Sequence, residues 1–131
     1  MAKHTAFSLR LEQRVLWVSA NGFWTKAIAQ QYVREMRSLI LPISAKPWAV
    51  VLDIRQWEIS PAEVFALLNE NTAWCFANNL KHVETIGADN TMVMWQFAKA
   101  TQAVKPADVV STLKDDELAA RQSLRAAGYL F

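Results

Sequence analysis

Few side chains in this chain could do chemistry, and their spacing argues against most of it. The 131 residues hold one cysteine, Cys75, set between Trp74 and Phe76, and two histidines, His4 and His82. A lone thiol closes no intramolecular disulfide, and no His-x-x-x-His or His-Glu pair stands at metal spacing, so a zinc or iron site is not expected. A dyad of Cys75 and His82 would need a third group to orient the imidazole, and none is evident. Its aromatic neighbours make Cys75 a structural thiol of a partly buried helix. Three glycines form neither a P-loop nor a Gly-x-Gly-x-x-Gly turn, so there is no phosphate cradle. The sequence therefore predicts a noncatalytic protein with no cofactor and no metal.

Two polar residues remain as candidates. Asp53 follows the apolar run Trp48-Ala49-Val50-Val51-Leu52 and ends a central strand, facing the crevice where open α/β sheets bind ligands. It is either a polar anchor for a ligand or a partner of nearby loop amides or Arg55. Ser60-Pro61-Ala62-Glu63 reads as a helix start. The Ser hydroxyl can accept from a first-turn amide, Pro suits the first helical position, and Glu63 can reach back.

The elements that position these residues follow from periodicity. Phe7 to Glu12 alternates strictly, as a half-buried strand does, and Val15 to Ala20 is a second strand joined to it by a hairpin at Gln13-Arg14. Thr25 is a helix cap, and Ala27 to Leu41 carries an apolar face of Ile28, Tyr32, Met36 and Leu39. Trp48 to Leu52 is continuous enough for a parallel strand covered on both faces. A second helix runs from Ser60 to about Asn78. His82 to Gly87 is a strand, Asp89 or Asn90 caps a third helix to about Ala103, and Val109 to Leu113 is a short strand. Asp115 opens a last helix that Gly128 closes. The order predicts a single α/β domain over residues 1–131: a mixed, mostly parallel sheet of four to five strands with about four helices, the first strand antiparallel.

Six tryptophans are far above ordinary usage, and their placement matters more than their number. Trp17 and Trp48 lie in strands and belong to the core. Trp24 and Trp57 fall just after the second and third strands, so their loops open at one end of the sheet. On the second helix Leu67 and Trp74 lie off the face formed by Val64, Phe65, Leu68, Thr72, Cys75 and Phe76. On the third helix Met92 and Trp95 are displaced towards Lys99 from a face of Val93, Met94, Phe97 and Thr101. Surplus apolar surface of this kind marks a groove or an interface, unless neighbouring helices or the Tyr129-Leu130-Phe131 tail cover it.

Fourteen basic and twelve acidic residues, net +2, are interleaved along the chain rather than clustered, so no nucleic-acid partner is expected. No apolar stretch is long enough to cross a bilayer, and Met1 to Phe7 lacks the apolar run of a signal peptide. With a lone thiol, these features predict a cytoplasmic protein.

The order of elements also resembles a family. Gly22-Phe23-Trp24 before the first helix, Lys46-Pro47-Trp48-Ala49-Val50-Val51-Leu52-Asp53 as the central strand, Trp57 after it, and a last helix ending in Gly128-Tyr129 resemble the SpoIIAA-like group of small bacterial proteins, which is related in fold to STAS domains. The likeness covers essentially the whole chain. In the antagonists of that fold a serine at the start of the helix after the central strand is phosphorylated and controls partner binding. Ser60 matches its position, but Ile59, Pro61 and Ala62 replace the Asp-Ser-Ser-Gly-like surroundings of such switches. The resemblance also extends to lipid carriers of the Sec14 type, which implies a nonpolar ligand or a membrane surface as partner.

Two readings result. In the first, the protein is a noncatalytic carrier or binder of a nonpolar, lipid-like ligand, either free in the cytoplasm or peripheral at a membrane, with Trp24, Trp57, Leu67, Trp74, Met92 and Trp95 at the site and Asp53 as polar anchor. In the second, it is a protein-interaction module of the anti-sigma-factor-antagonist type with Ser60 as phosphorylation switch. A homodimer is compatible with either.

Overall fold

The computed structural model describes residues 6–131; His4 lies outside them. Five strands form one sheet in sequence order: β1 (Phe7–Glu12), β2 (Val15–Gly22), β3 (Trp48–Trp57), β4 (Leu80–Ile86) and β5 (Val110–Lys114). β1 pairs antiparallel with β2 through the tight turn at Gln13-Arg14, where Gln13 takes φ 54°. The remaining neighbours are all parallel. This is the mixed, mostly parallel sheet that the sequence predicts.

Helix α1 (Lys26–Ile40) connects β2 to β3, α2 (Ala62–Ala77) connects β3 to β4, and α3 (Thr91–Ala100) connects β4 to β5. Because these crossovers step in one direction across the sheet, and parallel crossovers share one hand, the three helices fall on one face. Helix α4 (Glu117–Ala126) follows β5 and packs on the opposite face. Strand alternation divides the core accordingly. Leu16, Val18, Ala20, Trp48, Val50 and Ile54 meet the three helices, whereas Val15, Trp17, Ala49, Val51 and Ile86 meet Ala120 and Leu124 of α4.

Local signals explain most of the element ends. Thr25 Oγ1 accepts from the Ile28 amide, and Asn90 Oδ1 accepts from the amides of Met92 and Val93, so Asn90 rather than Asp89 caps α3. Asp116, not Asp115, caps α4 by accepting from the Ala119 amide at 2.8 Å. Past α4, Gly128 takes φ 89°, a left-handed position that only glycine occupies cheaply. It turns the chain so that Leu130 packs into the core of the α4 face.

Two expectations are corrected. β3 continues to Trp57 instead of stopping at Leu52, because β2 keeps pairing with it beyond an irregularity at Ser19–Asn21 as far as Gly22 opposite Trp57. Trp57 is therefore a strand residue, and Asp53 lies within the strand. Ser60 does not cap α2: the cap position falls on Pro61, which has no side-chain cap bond.

Candidate functional site

The residues singled out from sequence separate into three places. Trp24 and Trp57 are buried at the carboxyl ends of β2 and β3, at 2% and 5% exposure. Their rings meet edge to face at 5.8 Å, and Trp24 also packs on Phe7 and Tyr32. Trp24 Nε1 donates to the Ala6 carbonyl. Both tryptophans line a cavity of about 60 Å³ between the sheet and the helices, together with Tyr32, Leu68, Asn71 and Phe97. A second cavity of about 140 Å³ adjoins it, sharing Tyr32, Leu52, Asn71, Thr72, Phe97 and Thr101, and extends past Met36 and Cys75.

On α2, Leu67 and Trp74 are half-buried and pack against the core. The Arg37 guanidinium of α1 lies 4.7 Å from the centre of the Trp74 ring. A neighbouring helix thus covers much of this side chain, which the α2 periodicity by itself leaves outside the core. The C-terminal tail covers none of the tryptophans on this side of the sheet, since Leu130 and Tyr129 pack on the α4 face.

Met92 and Trp95 of α3 are exposed, at 57% and 52%. Among the described residues the ring of Trp95 meets the edge of one other aromatic ring, Phe65, at 6.2 Å, and Lys99 approaches its face at 5.6 Å. Ile59, in the loop between β3 and α2, is exposed as well. Glu58 and Ser60 join that loop to α3. The Ser60 amide donates to Gln96 Oε1 at 2.6 Å and Gln96 Nε2 donates to the Glu58 carbonyl at 2.9 Å. The Ser60 hydroxyl accepts from the Trp24 amide at 3.0 Å and donates to the Glu58 carbonyl. Ser60 is 7% exposed, and both roles of its hydroxyl are filled inside the protein. It joins the loop after β2 to the loop after β3, in place of the cap expected of it.

Asp53 is held by its own strand. Arg55 Nη2 donates to Asp53 Oδ2 at 2.7 Å, Arg55 Nε to Oδ1 at 3.0 Å, and the Arg55 amide also to Oδ1. Burial works against the charged carboxyl, yet the Arg55 bonds outweigh it and hold Asp53 below the usual carboxylate range. Cys75 is buried in α2, and burial pushes its thiol up to about 12. Cys75 and His82 lie on opposite faces of the sheet, so the two cannot form a dyad. Among the described residues no group of three or more His, Cys, Asp or Glu side chains converges as a metal site would require.

One cluster on the α4 face is absent from the sequence expectations. Glu84 is fully buried on β4. Its Oε2 lies 2.9 Å from His82 Nε2 and accepts from the Thr112 hydroxyl of β5, and its Oε1 lies 3.5 Å from Lys114 Nζ. Burial would raise the Glu84 carboxyl, but hydrogen bonds from Thr112, His82 and Ser123 of α4 together hold it below its ordinary value. Tyr129 packs edge-on against His82 at 5.5 Å. The signal was present in sequence: His82-Val83-Glu84 on a strand puts both polar side chains on one face. Oε2 is satisfied inside the protein, while Oε1 has no hydrogen bond among the described residues and faces the Lys114 ammonium; the group fastens α4 and the tail to the sheet.

No family model matches the chain, and no curated protein matches its sequence. Solved structures do match its shape. An uncharacterised protein of the DUF3478 family with a SpoIIAA-like fold, from Shewanella loihica, superposes with a TM-score of 0.69 at 16% identity, over 95% of this chain and 98% of that one. The anti-sigma factor antagonist SpoIIAA in its unphosphorylated form gives 0.65 at 11% identity, over 92% and 98%. An anti-sigma factor antagonist from Mycobacterium paratuberculosis gives 0.56 at 13% identity, over 91% and 92%. No helix among the described residues is long and apolar enough to cross a membrane. With five strands in sequence order, three helices on one face and a fourth on the other, the chain has the SpoIIAA-like fold.

Proposed function

We propose that the protein is a noncatalytic interaction domain that docks a partner protein on the apolar surface formed by Ile59, Phe65, Met92 and Trp95. The observation that carries this reading is the contrast among the tryptophans: Trp24 and Trp57 are closed into the core, whereas Trp95 stays half exposed beside an exposed Met92. Half-exposed tryptophan next to other large apolar side chains is the composition of binding hot spots. Glu58, Glu63 and Asp89 are exposed on the adjoining segments, so the fitting partner carries basic residues around an apolar centre. The fold similarity to two anti-sigma factor antagonists supports the same class of role. Ser60 is not used as a switch in this reading, since its hydroxyl is committed to Trp24 and Glu58.

The test compares the wild type with Trp95→Ala and Met92→Asp in a pull-down, followed by affinity measurement on the purified partner. Loss of binding in both variants at unchanged unfolding midpoints supports the interface. Undiminished binding rejects it. Sedimentation of the wild type, but not of the variants, with anionic vesicles would give the surface to a membrane instead.

The two adjoining cavities favour a second reading, binding of a nonpolar ligand. Trp24 and Trp57 line the smaller one. Even taken together, the two volumes fall below the ~300 Å³ at which pockets for larger ligands begin. The ligand that fits is compact, which argues against a long-chain lipid and against Met92 and Trp95 as parts of the same site.

A further inference from the structure

The larger cavity is apolar in most of its wall, with Met36, Trp48, Val50, Leu52, Phe76 and Phe97 among its lining residues. Among the polar side chains that interrupt that wall, two keep a donor without an ordinary acceptor. Asn71 is 4% exposed. Arg37 Nε donates to Asn71 Oδ1 at 2.9 Å, which fixes the carboxamide with its NH2 group away from Arg37. Among the described residues that NH2 group meets only Met36 Sδ at 3.6 Å and Cys75 Sγ at 3.9 Å, and sulfur is a weak acceptor. Tyr32 is 6% exposed, and its hydroxyl has no hydrogen-bond partner among the described residues; burial raises its pKa with no hydrogen bond to offset it. The Thr72 and Thr101 hydroxyls that also line the space are already donating to the carbonyls of Leu68 and Phe97.

Native interiors rarely leave such donors unpaired, because each one not satisfied weakens the fold. Two donors beside an apolar space match a ligand that brings an acceptor. We propose that this cavity is a binding site for a compact, uncharged molecule with one hydrogen-bond acceptor, such as a carbonyl oxygen, on an apolar body the size of a single ring. The acceptor is received by Asn71 Nδ2 and the Tyr32 hydroxyl. Size follows from volume: a dry cavity of about 150 Å³ in another protein holds benzene, and this one is about 140 Å³. Neutrality follows from the wall. The Cys75 thiol is pushed up to about 12 and stays protonated, while Arg37 is engaged with Asn71 and Trp74. Lys105 also lines the space, but it is exposed and its ammonium donates to the Val109 carbonyl at 2.7 Å, so a carboxylate there would lose its hydration with only that engaged, solvated cation to meet it. This proposal rests on the ligand-binding reading and is independent of the interface at Trp95.

The experiment uses three small probes on the intact protein: acetophenone, ethylbenzene and benzoate. Binding is read from the methyl NMR signal of Met36, which lines the cavity, with exposed Met92 as control. The expected result is a saturable shift of Met36 but not Met92, with acetophenone bound roughly fivefold or more tighter than ethylbenzene and benzoate unbound. Tyr32→Phe and Asn71→Leu should each reduce that preference towards equality while keeping ethylbenzene binding, and Trp95→Ala should leave it unchanged. No saturable shift at Met36, equal affinity for the two neutral probes, or tighter binding of benzoate would each overturn the proposal. A folded Trp95→Ala that loses its partner protein but keeps acetophenone separates the two sites.

Discussion

The two faces of the sheet bury polar groups of different kinds. On the α4 face, Glu84 sits at zero exposure and is met by His82, Thr112 and Lys114. On the three-helix face, Asn71 and Tyr32 are nearly as deep, yet their donors look onto sulfur atoms or onto cavity. A charge-paired cluster rigidifies the fold and leaves little for a ligand to do, even with Glu84 Oε1 short of a hydrogen bond, whereas neutral donors facing sulfur or open cavity leave free energy that a ligand can recover. The difference teaches where to look for function. The face with more titratable groups is the structural one, and the greasier face is the receptive one.

The largest effect should come from breaking the charge-paired cluster of the α4 face. Glu84→Ala removes the group that collects His82, Thr112 and Lys114, and loss of one partner of a buried charged network costs about 3–5 kcal/mol. Urea unfolding at neutral pH measures it. The Glu84 carboxyl is held below its ordinary value of 4.5 when folded, so its stabilisation is present above that value and is lost as pH falls through the folded one. The wild type should lose stability in that acid range, and Glu84→Ala should lose less. A variant as stable as the wild type would mean that the two faces do not differ as described.

A smaller loss is expected at Ser60, at the edge of the receptive face. Ser60→Ala leaves the Trp24 amide without its acceptor, at a cost of about 1–3 kcal/mol. Ser60→Asp should be worse, because a carboxylate would enter a buried position next to the acceptor oxygen of Gln96. A capping residue would show the opposite order, since Asp caps as well as Ser. Thermal midpoints of the two variants decide between them.

Asn71→Leu should change stability by less, within about 1 kcal/mol either way. It removes an undersatisfied amide and fills space with a side chain of similar size, while Arg37, only part-buried, can turn to water. An Asn71→Leu variant destabilised as severely as Glu84→Ala would place Asn71 in a satisfied network and close the gap between the faces.

How much of this was readable in the sequence depends on whether the partner of each residue is near in the chain. Thr25 and Asn90 cap helices beside them, and Trp17 and Trp48 alternate into strands, so these were legible. The role of Ser60 was not, because its hydroxyl answers to Trp24, 36 positions away. Trp74 looks surplus on its own helix because Arg37, which covers it, comes from α1. Trp57 looks like a loop residue because an extra residue of β3 between Asp53 and Gln56, set against two steps of β2, breaks the alternation just before it. The His82–Glu84 pair was legible by its spacing, but the spacing used to search for metal ligands hid it. What periodicity cannot supply is which helix lies next to which, and the receptive face is built from that adjacency.

The smallest effect on stability should belong to the residue with the largest effect on association. Trp95 is 52% exposed, and its neighbours are the edge of Phe65 and the ammonium of Lys99. An exposed substitution away from caps and networks changes stability by about 0.5 kcal/mol or less, and an exposed cation–π contact adds about 0.5–1 kcal/mol at most. Trp24→Ala, by contrast, should cost about 3–5 kcal/mol, because that ring is shut in by Phe7, Tyr32 and Trp57. Measured side by side, the two variants test whether tryptophans in one chain serve different ends. If Trp95→Ala unfolds as easily as Trp24→Ala, its ring belongs to the core and the proposed interface has no anchor. If it is as stable as the wild type but no longer holds the partner protein, then the exposed ring is kept for binding, since the fold does not need it.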